Sequence, residues 1–456
     1  MISRLQSVSL HCYHYSTHID PLIQYFYPSY MKQGLQLFLL FIFYQLAIAQ
    51  STRTLDYYLL QAHDHSPELK EIYNQQKINI LQNDRIWAQY KKPIVGVTGD
   101  YLFAPYFANN NKVFSITTVP DAKAFGYDAA LSNGGLYAFL LNASFPLFKE
   151  GFAKTINNQN FIQNQWLQNQ LYTQIHDIDK SVTDQYILVY QIQQLLRHLE
   201  TITAGIKDRK KVVEALVQKA IMQQTDFQLL EIEISIREND YLQERVSLLD
   251  AFTQLNNLCG ISDTVIFDLE APLLQLSQPI AQYSFLEKYR LDSLSVLGNE
   301  DIFNLKYKPQ LDAYSNTGIN ASSVTTIPHN VGLSAGLHLS IPLYDGEQKK
   351  IARQQNRLLI ENLKEYKNTT YVQKQNSLIN LQRQIQLTQL SLAGFNEQLR
   401  KQEALLEVIK NKVIYGQSSV TEYRLALQDY VATNQNILQT QTNLWLLINQ
   451  YNYINW

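Results

Sequence analysis

Few residues in this sequence are typed and spaced to do chemistry. His63-Asp64-His65 places two imidazoles around a carboxylate, as a metal pair would, but it abuts Ser66-Pro67, where a solvated loop is the alternative reading. His329 and His338 have no triad partner at a recognisable spacing, and the sequence holds no P-loop, GxGxxG or GxSxG. Cys12 and Cys259 lie far apart without a CxxC partner, so neither a disulfide framework nor a zinc site is expected. No catalytic residue, cofactor or metal is therefore expected, and the chain is read as not an enzyme. The acidic positions that stand out are Asp226 and Glu422, each set between a threonine and an aromatic residue: Thr225-Asp226-Phe227 and Thr421-Glu422-Tyr423.

Those two triplets belong to an internal duplication. Phe145-Pro146-Leu147-Phe148 recurs as Ile341-Pro342-Leu343-Tyr344, and 342 − 146 equals 421 − 225, both 196. The same offset aligns Gln159-Asn160 with Gln355-Asn356, Leu196 with Leu392 and Val217 with Val413, without a gap.

Each half shows the same order of elements. Two period-two segments come first, at 94–103 and 136–148, then at 311–319 and 331–344. The clearest, Val331 to Ile341, puts Val, Leu, Ala, Leu, Leu and Ile on one face and Gly, Ser, Gly, His and Ser on the other. That is about 11 residues, the length of a tilted transmembrane strand. The segments between the strands, 104–135 and 320–330, read as surface loops. A proline-free helical stretch follows in each half, 151–218 and 346–414, at about 1.5 Å per residue a rod of about 100 Å. Its seam is heptad: Leu378, Ile385, Leu392, Leu399, Leu406 and Val413 in one half, Ile192, Leu199, Ile206 and Val213 in the other. The rod turns back near 220–225 and 416–421 and returns as a second helix. Before the first strand, Leu55 to Tyr90 reads as helix broken at Ser66-Pro67. The resulting division is 1–49 leader, 50–258 first repeat, 259–304 linker or small mixed region, and 305–456 second repeat.

Composition sets the surroundings. Only 17% of residues are charged and the net charge is −2, which predicts no electrostatic hold on nucleic acid, while 30 tyrosines suit membrane interfaces or polar cavities. From Met31 a charged start, an apolar run and Ala47-Ile48-Ala49 before Gln50 read as a signal peptide cleaved after Ala49, with a transmembrane anchor as the alternative. Beyond Gln50 no apolar run is long enough for a spanning helix, so a membrane span would have to be β.

Four amphipathic strands are too few to close a barrel, and open edges are not tolerated in lipid. The chain is therefore expected to share one. Three copies would supply twelve strands, continued by twelve long helices, and Gly332, Ser334, Gly336 and Ser340 on the inner face suit a water-filled lumen. Rival readings are an envelope-spanning coiled-coil spacer or adhesin stalk, and a secreted enzyme with a helical insertion.

The doubled order of strands and long hairpins resembles the TolC family of outer-membrane efflux proteins from Leu55 to Trp456. The motifs that carry the likeness are Ala62 with Ser66-Pro67-Glu68-Leu69, the Pro-Leu-aromatic junctions with Asp345-Gly346, and Tyr415-Gly416 before Thr421-Glu422. The resemblance implies a mainly α fold with a transmembrane β-barrel portion: a homotrimeric twelve-stranded barrel continued by an α-helical barrel through the periplasm. It also implies a duct docked to a periplasmic membrane-fusion adaptor and an inner-membrane transporter of RND, ABC or MFS type. Thr225, Asp226, Thr421 and Glu422 match gate positions, where three copies of each carboxylate would repel one another and favour cations. The alternative is that Asp226 and Glu422 are first-turn acids of the returning helices, capped by Thr225 and Thr421. Ser418 replaces a basic residue of the family pattern and Leu425 replaces an acid, so the gate is expected to be latched differently or more loosely. The adaptor would dock on Ala220, Ile221, Met222 and Gln223 and on Tyr415, Gly416, Gln417 and Ser418. There Ile221, Met222 and Tyr415 either form an exposed apolar patch or pack within the tip. Gly416 suits a left-handed turn; Ala220, at the matching site, is not expected to need one.

Overall fold

The computed structural model describes residues 52–117, 120–126, 137–278, 284–321 and 324–456. Cys12 and the expected cleavage positions Ala47, Ala49 and Gln50 lie outside the described residues. The unit from Arg53 to Trp456 opens with α1 (Leu55–His65) and α2 (Pro67–Lys91). Ser66 separates them: its extended backbone ends α1, its hydroxyl accepts from Leu69 N, and Pro67 at the first helical position needs no donor partner. The strand β1 (Ile94–Tyr101) follows, then β2 (Tyr106–Asn109), β3 (Lys112–Ser115), β4 (Phe125–Gly126) and β5 (Tyr137–Leu147). The long hairpin α3 (Glu150–Gln218) and α4 (Gln224–Leu258) completes the first half. The second half runs α5 (Glu287–Asn304), β6 (Gln310–Ala321), β7 (Val331–Ser340), α6 (Gln348–Ile414) and α7 (Val420–Ile454).

Two differences from the sequence reading have clear causes. The segment read as a surface loop after β1 contains a second, three-stranded antiparallel sheet in the order β3-β2-β4. Its tight turn uses Asn110 and Asn111, both left-handed (φ 49° and 62°), a hairpin signal that asparagine carries as glycine does. The segment read as a linker or small mixed region holds α5, which packs on both α3 and α6, while α2 packs on α3. The duplicated asparagines show the match: Asn160 exchanges amide bonds with Asn79 of α2 (2.9 Å each way), while Asn356 donates to Glu300 of α5 (3.1 Å). By that match the second repeat takes in α5.

Burial follows the heptad seams. Leu199, Ile206 and Val213 of α3 and Leu378, Ile385 and Val413 of α6 are buried. α3 packs against both α4 and α7, and α7 against α6. Apolar clusters lie along the rods: one where α1 meets α3 and α4, one near the hairpin turns, and one between α6 and the end of α7. Tyr186, fully buried in the first, donates bifurcated bonds to the carbonyls of Arg53 (3.0 Å) and Glu270 (2.7 Å), tying the start of the unit and the 261–270 segment to α3. Tyr186→Phe leaves both carbonyls short of that donor. A loss of about 1–2 kcal/mol is expected, read as a lower denaturant midpoint at unchanged slope, and an unchanged midpoint would refute the role of this bond.

Candidate functional site

The first functional feature is the sheet β1-β5-β6-β7, antiparallel throughout. Residues directly opposite one another across strands share a face. Register therefore sets Val97, Leu141, Thr317 and Leu333 on one side, with Phe139 and Ile319 above them and Ala313, Phe145 and Leu337 below. The other side carries Thr98, Asn142, Asn316, Ser334, Asp312 and His338. The apolar side is uncovered: Phe139 is 61% exposed and Leu333 76%. On the polar side Asn142 donates to Thr98 Oγ1 (2.8 Å), and Lys149 pairs with Asp312 (2.8 Å) where the sheet passes into α3. Tyr314 packs over Gly336; a Cβ there would come within 2.5 Å of the phenol oxygen, so a larger residue would displace the Tyr314 ring. Among the described residues neither β1 nor β7 has a partner on its outer edge, and the sheet they form is open.

The second feature is the pair of hairpin turns. In the first, Ala220 N–H donates to Val217 O (2.9 Å) and Ile221 N–H to Leu216 O (2.9 Å); in the second, Gly416 N–H donates to Val413 O (3.1 Å) and Gln417 N–H to Lys412 O (2.8 Å). Each position in one turn matches the other at the 196-residue offset, and both are Schellman motifs, which require a left-handed residue. Gly416 has φ 67°, and Ala220, contrary to expectation, has φ 52°. The hydrogen-bond pattern imposes that conformation on an alanine at a cost of about 1–2 kcal/mol. Ile221 (56%) and Tyr415 (75%) are exposed, whereas Met222 packs into the apolar cluster behind the turns. Gln223, Gln417 and Ser418 complete the turns, with Gln223 and Gln417 exposed.

The returning helices are capped at matched positions too, but not by the threonines. Gln223 and Ser419 are the N-caps, 196 residues apart. Gln223 N–H donates to Asp226 Oδ2 (3.2 Å), Ser419 Oγ accepts from Glu422 N–H (3.2 Å), and the Ser418 hydroxyl donates to the Glu422 carboxylate. Asp226 and Glu422 thus sit at the third position of their helices, where a carboxylate is favoured by the helix dipole. Thr225 and Thr421 lie exposed in the first turn, with Thr225 Oγ1 donating to Gln223 Oε1 (3.3 Å).

Behind the turns lies a charged layer that the sequence pattern did not disclose. Glu233 is fully buried and pairs with Arg237 one turn on (2.7 Å); Arg237 also reaches Asp240 (3.2 Å). Arg209, buried at a seam position between Ile206 and Val213, lies beside the Tyr423 phenol, whose pKa burial raises and the Arg209 charge lowers. His198 is also half-enclosed here: burial, then the nearby Arg237 charge, lowers its imidazole from the ordinary 6.5. The only hint in the sequence is a charge interrupting a heptad seam.

His63 and His65 lie in the last turn of α1, not in a loop; His63 Nε2 meets Asp179 Oδ1 at 2.6 Å and His65 Nδ1 bonds Gln61 O at 2.9 Å. His329 ends a 3₁₀ turn and His338 lies on the polar sheet face. Cys259 is buried, its thiol pushed up to about 12 by burial. Among the described residues no cluster of His, Cys, Asp and Glu could hold a metal, and no helix is long and apolar enough to cross a membrane.

Two stability tests follow from this geometry. Ala220→Gly is expected to raise stability by about 1 kcal/mol and Gly416→Ala to lower it by at least as much; effects of the opposite sign would refute the left-handed turns. For His198, a base depressed on folding contributes stability that is complete above pH 6.5 and is lost as pH falls below it. The thermal midpoint of wild type should therefore drop relative to His198→Gln between pH 7 and 5, and parallel pH curves would contradict the burial of a neutral ring.

No family model matches the chain, and no curated protein matches it. Solved structures do match. The outer membrane protein VceC from Vibrio cholerae is 13% identical at a TM-score of 0.64, over 88% of this chain and 96% of that one. The open-state MtrE outer membrane channel of Neisseria gonorrhoeae is 13% identical at 0.64, over 88% of both chains. The CmeC outer membrane channel of Campylobacter jejuni is 10% identical at 0.63, over 88% of this chain and 85% of that one. The chain has the fold of these channel proteins.

Proposed function

We propose that this chain is a subunit of an outer-membrane channel, not an enzyme, and that copies of it enclose a polar duct through the outer membrane into the periplasm. The observation that carries the reading is the register of β1-β5-β6-β7, which sorts an uncovered apolar face from a polar one on a sheet with two open edges. In hydrocarbon every backbone donor and acceptor needs a partner, so such a sheet crosses a bilayer only as part of a closed barrel. Closure joins β7 of one copy to β1 of the next. Three copies give twelve strands, within the range of membrane barrels. The shared fold with VceC, MtrE and CmeC supports this assembly.

The finer reading is a passive conduit of a tripartite efflux or type I secretion system. The matched turns at 220–223 and 415–418 point away from the sheet by the length of the rods, and exposed Ile221 and Tyr415 offer apolar contacts to a periplasmic adaptor, which would couple the duct to an inner-membrane pump. Thr225, Asp226, Thr421 and Glu422, in the first turns behind those tips, are assigned to the gate.

The test separates the two faces. Wild type, extracted in detergent and placed in planar bilayers, should conduct. Leu337→Arg, on the apolar face, should lose insertion by about 2–4 kcal/mol, whereas Ser334→Arg, on the polar face, should insert and shift selectivity towards anions. Asp226→Asn and Glu422→Gln should insert normally and weaken cation preference. Equal tolerance of arginine at 334 and 337, or a water-soluble protein without conductance, would overturn the proposal.

A further inference from the structure

The small sheet β3-β2-β4 has a face that the channel reading leaves unexplained. Register sets Phe114 opposite Phe107 and Phe107 opposite Phe125, so three phenylalanines run side by side across three strands. The rings of Phe107 and Phe125 stack at 6.0 Å. All three are open to solvent, at 56%, 44% and 66%, although the reverse face of the same strands is packed: Tyr106 and Asn109 are buried, and Asn109 donates to Ser115 Oγ (2.6 Å) while accepting from Asp121 N–H (2.7 Å). A packed back, tied by Asn109, and a bare aromatic front make an amphipathic plate rather than a random loop.

The plate's attachment indicates on which side of the large sheet its connection lies. The chain leaves β1 at Tyr101, whose ring lies 5.3 Å from Tyr137 on the apolar side of the large sheet. Ala104, two residues before β2, is buried against that same Tyr137. The connection therefore folds onto the side that carries Phe139, Leu141 and Leu333, not onto the side of Asn142 and Ser334. At this end of the strands, away from the helices, that is the rim of the apolar band.

Resting on the channel reading, we propose that β3-β2-β4 is a membrane-interface foot: Phe107, Phe114 and Phe125 seat in the boundary between headgroups and acyl chains of the outer face of the bilayer, extending the lipid contact of the barrel past its rim. Aromatic rings are favoured at that depth, and the foot is present only in the first half of the duplication, where 35 residues join the strands instead of the nine between β6 and β7.

The test uses nitroxide labels on full-length protein in phospholipid vesicles. Labels placed by Phe114→Cys and Phe125→Cys are compared with Leu337→Cys on the barrel wall and Ser334→Cys on the polar face; Cys12 and Cys259, the two native cysteines, are replaced by alanine in every variant. Accessibility to oxygen over a water-soluble nickel complex should be high at 337, low at 334, and intermediate to high at 114 and 125. If 337 reads as lipid but 114 and 125 read as water, the foot is wrong and the barrel stands. If 114 and 125 are shielded from both reagents and show spin–spin broadening between copies, the plate packs on a sister chain and the proposal is likewise overturned. If 337 itself reads as water, the channel reading fails first.

Discussion

An open sheet with one apolar side cannot exist alone in either of its surroundings. In water it exposes Phe139, Leu141, Leu333 and Leu337, and in lipid it exposes the unpaired backbone of β1 and β7. The second cost is the greater, several kcal/mol for each unsatisfied group, and it is removed only by joining the two edges. The helical part repeats the situation. With α3 and α7 in the middle, α4 and α6 carry exposed seams, Ile232, Leu242 and Val246 on one and Leu387 and Leu390 on the other. One chain is thus unfinished at strands and helices alike, and a single rotational assembly would finish both.

The duplication is more exact in geometry than in residue type. At the 196-residue offset the turns share both Schellman hydrogen bonds, the returning helices share their cap position, and Asn160 and Asn356 each anchor a preceding short helix. The residues themselves differ: alanine for glycine at the left-handed position, glutamine for serine at the cap, aspartate for glutamate in the first turn. Hydrogen-bond topology has been kept where side chains drifted, which explains why Ala220 carries backbone strain that its glycine counterpart does not.

Features governed by local periodicity were legible in the sequence. The period-two segments became β1, β5, β6 and β7 within a few residues at each end, the heptad seams became the buried lines of α3 and α6, and Ser66-Pro67 separated α1 from α2. Features governed by contacts between distant segments were not. Arg209 looks like a surface charge until Tyr423, over 200 residues on, is packed beside it. The small sheet was hidden because β2 and β3 are four residues each and β4 only two, too short to show alternation, with left-handed Ala108 breaking the pattern further. At the candidate gate the alternative reading of Asp226 and Glu422 as first-turn acids matches their position, but with Gln223 and Ser419 as caps in place of the threonines; that choice depends on where the helix starts, a boundary that pattern alone places only to within a few residues.

The charged layer and the gate acids differ in what a substitution would reveal. Glu233 has no exposure and one carboxylate oxygen without a hydrogen-bond partner, so its ion pair with Arg237 gains little net stability over an apolar pair of similar volume. Removing Arg237 strands the buried Glu233 charge and costs about 3–5 kcal/mol, enough to disturb packing of α3, α4 and α7 together, whereas removing Glu233 leaves Arg237 its bond to Asp240. Asp226 and Glu422 are different in kind. Their bonds are surface caps worth about 1 kcal/mol, within what a long hairpin absorbs without rearrangement. Under the proposed gate, a change in ion selection on altering Asp226 or Glu422 would therefore report on those carboxylates themselves, whereas a change on altering Glu233, Arg237 or Arg209 would report first on the packing of the two hairpins.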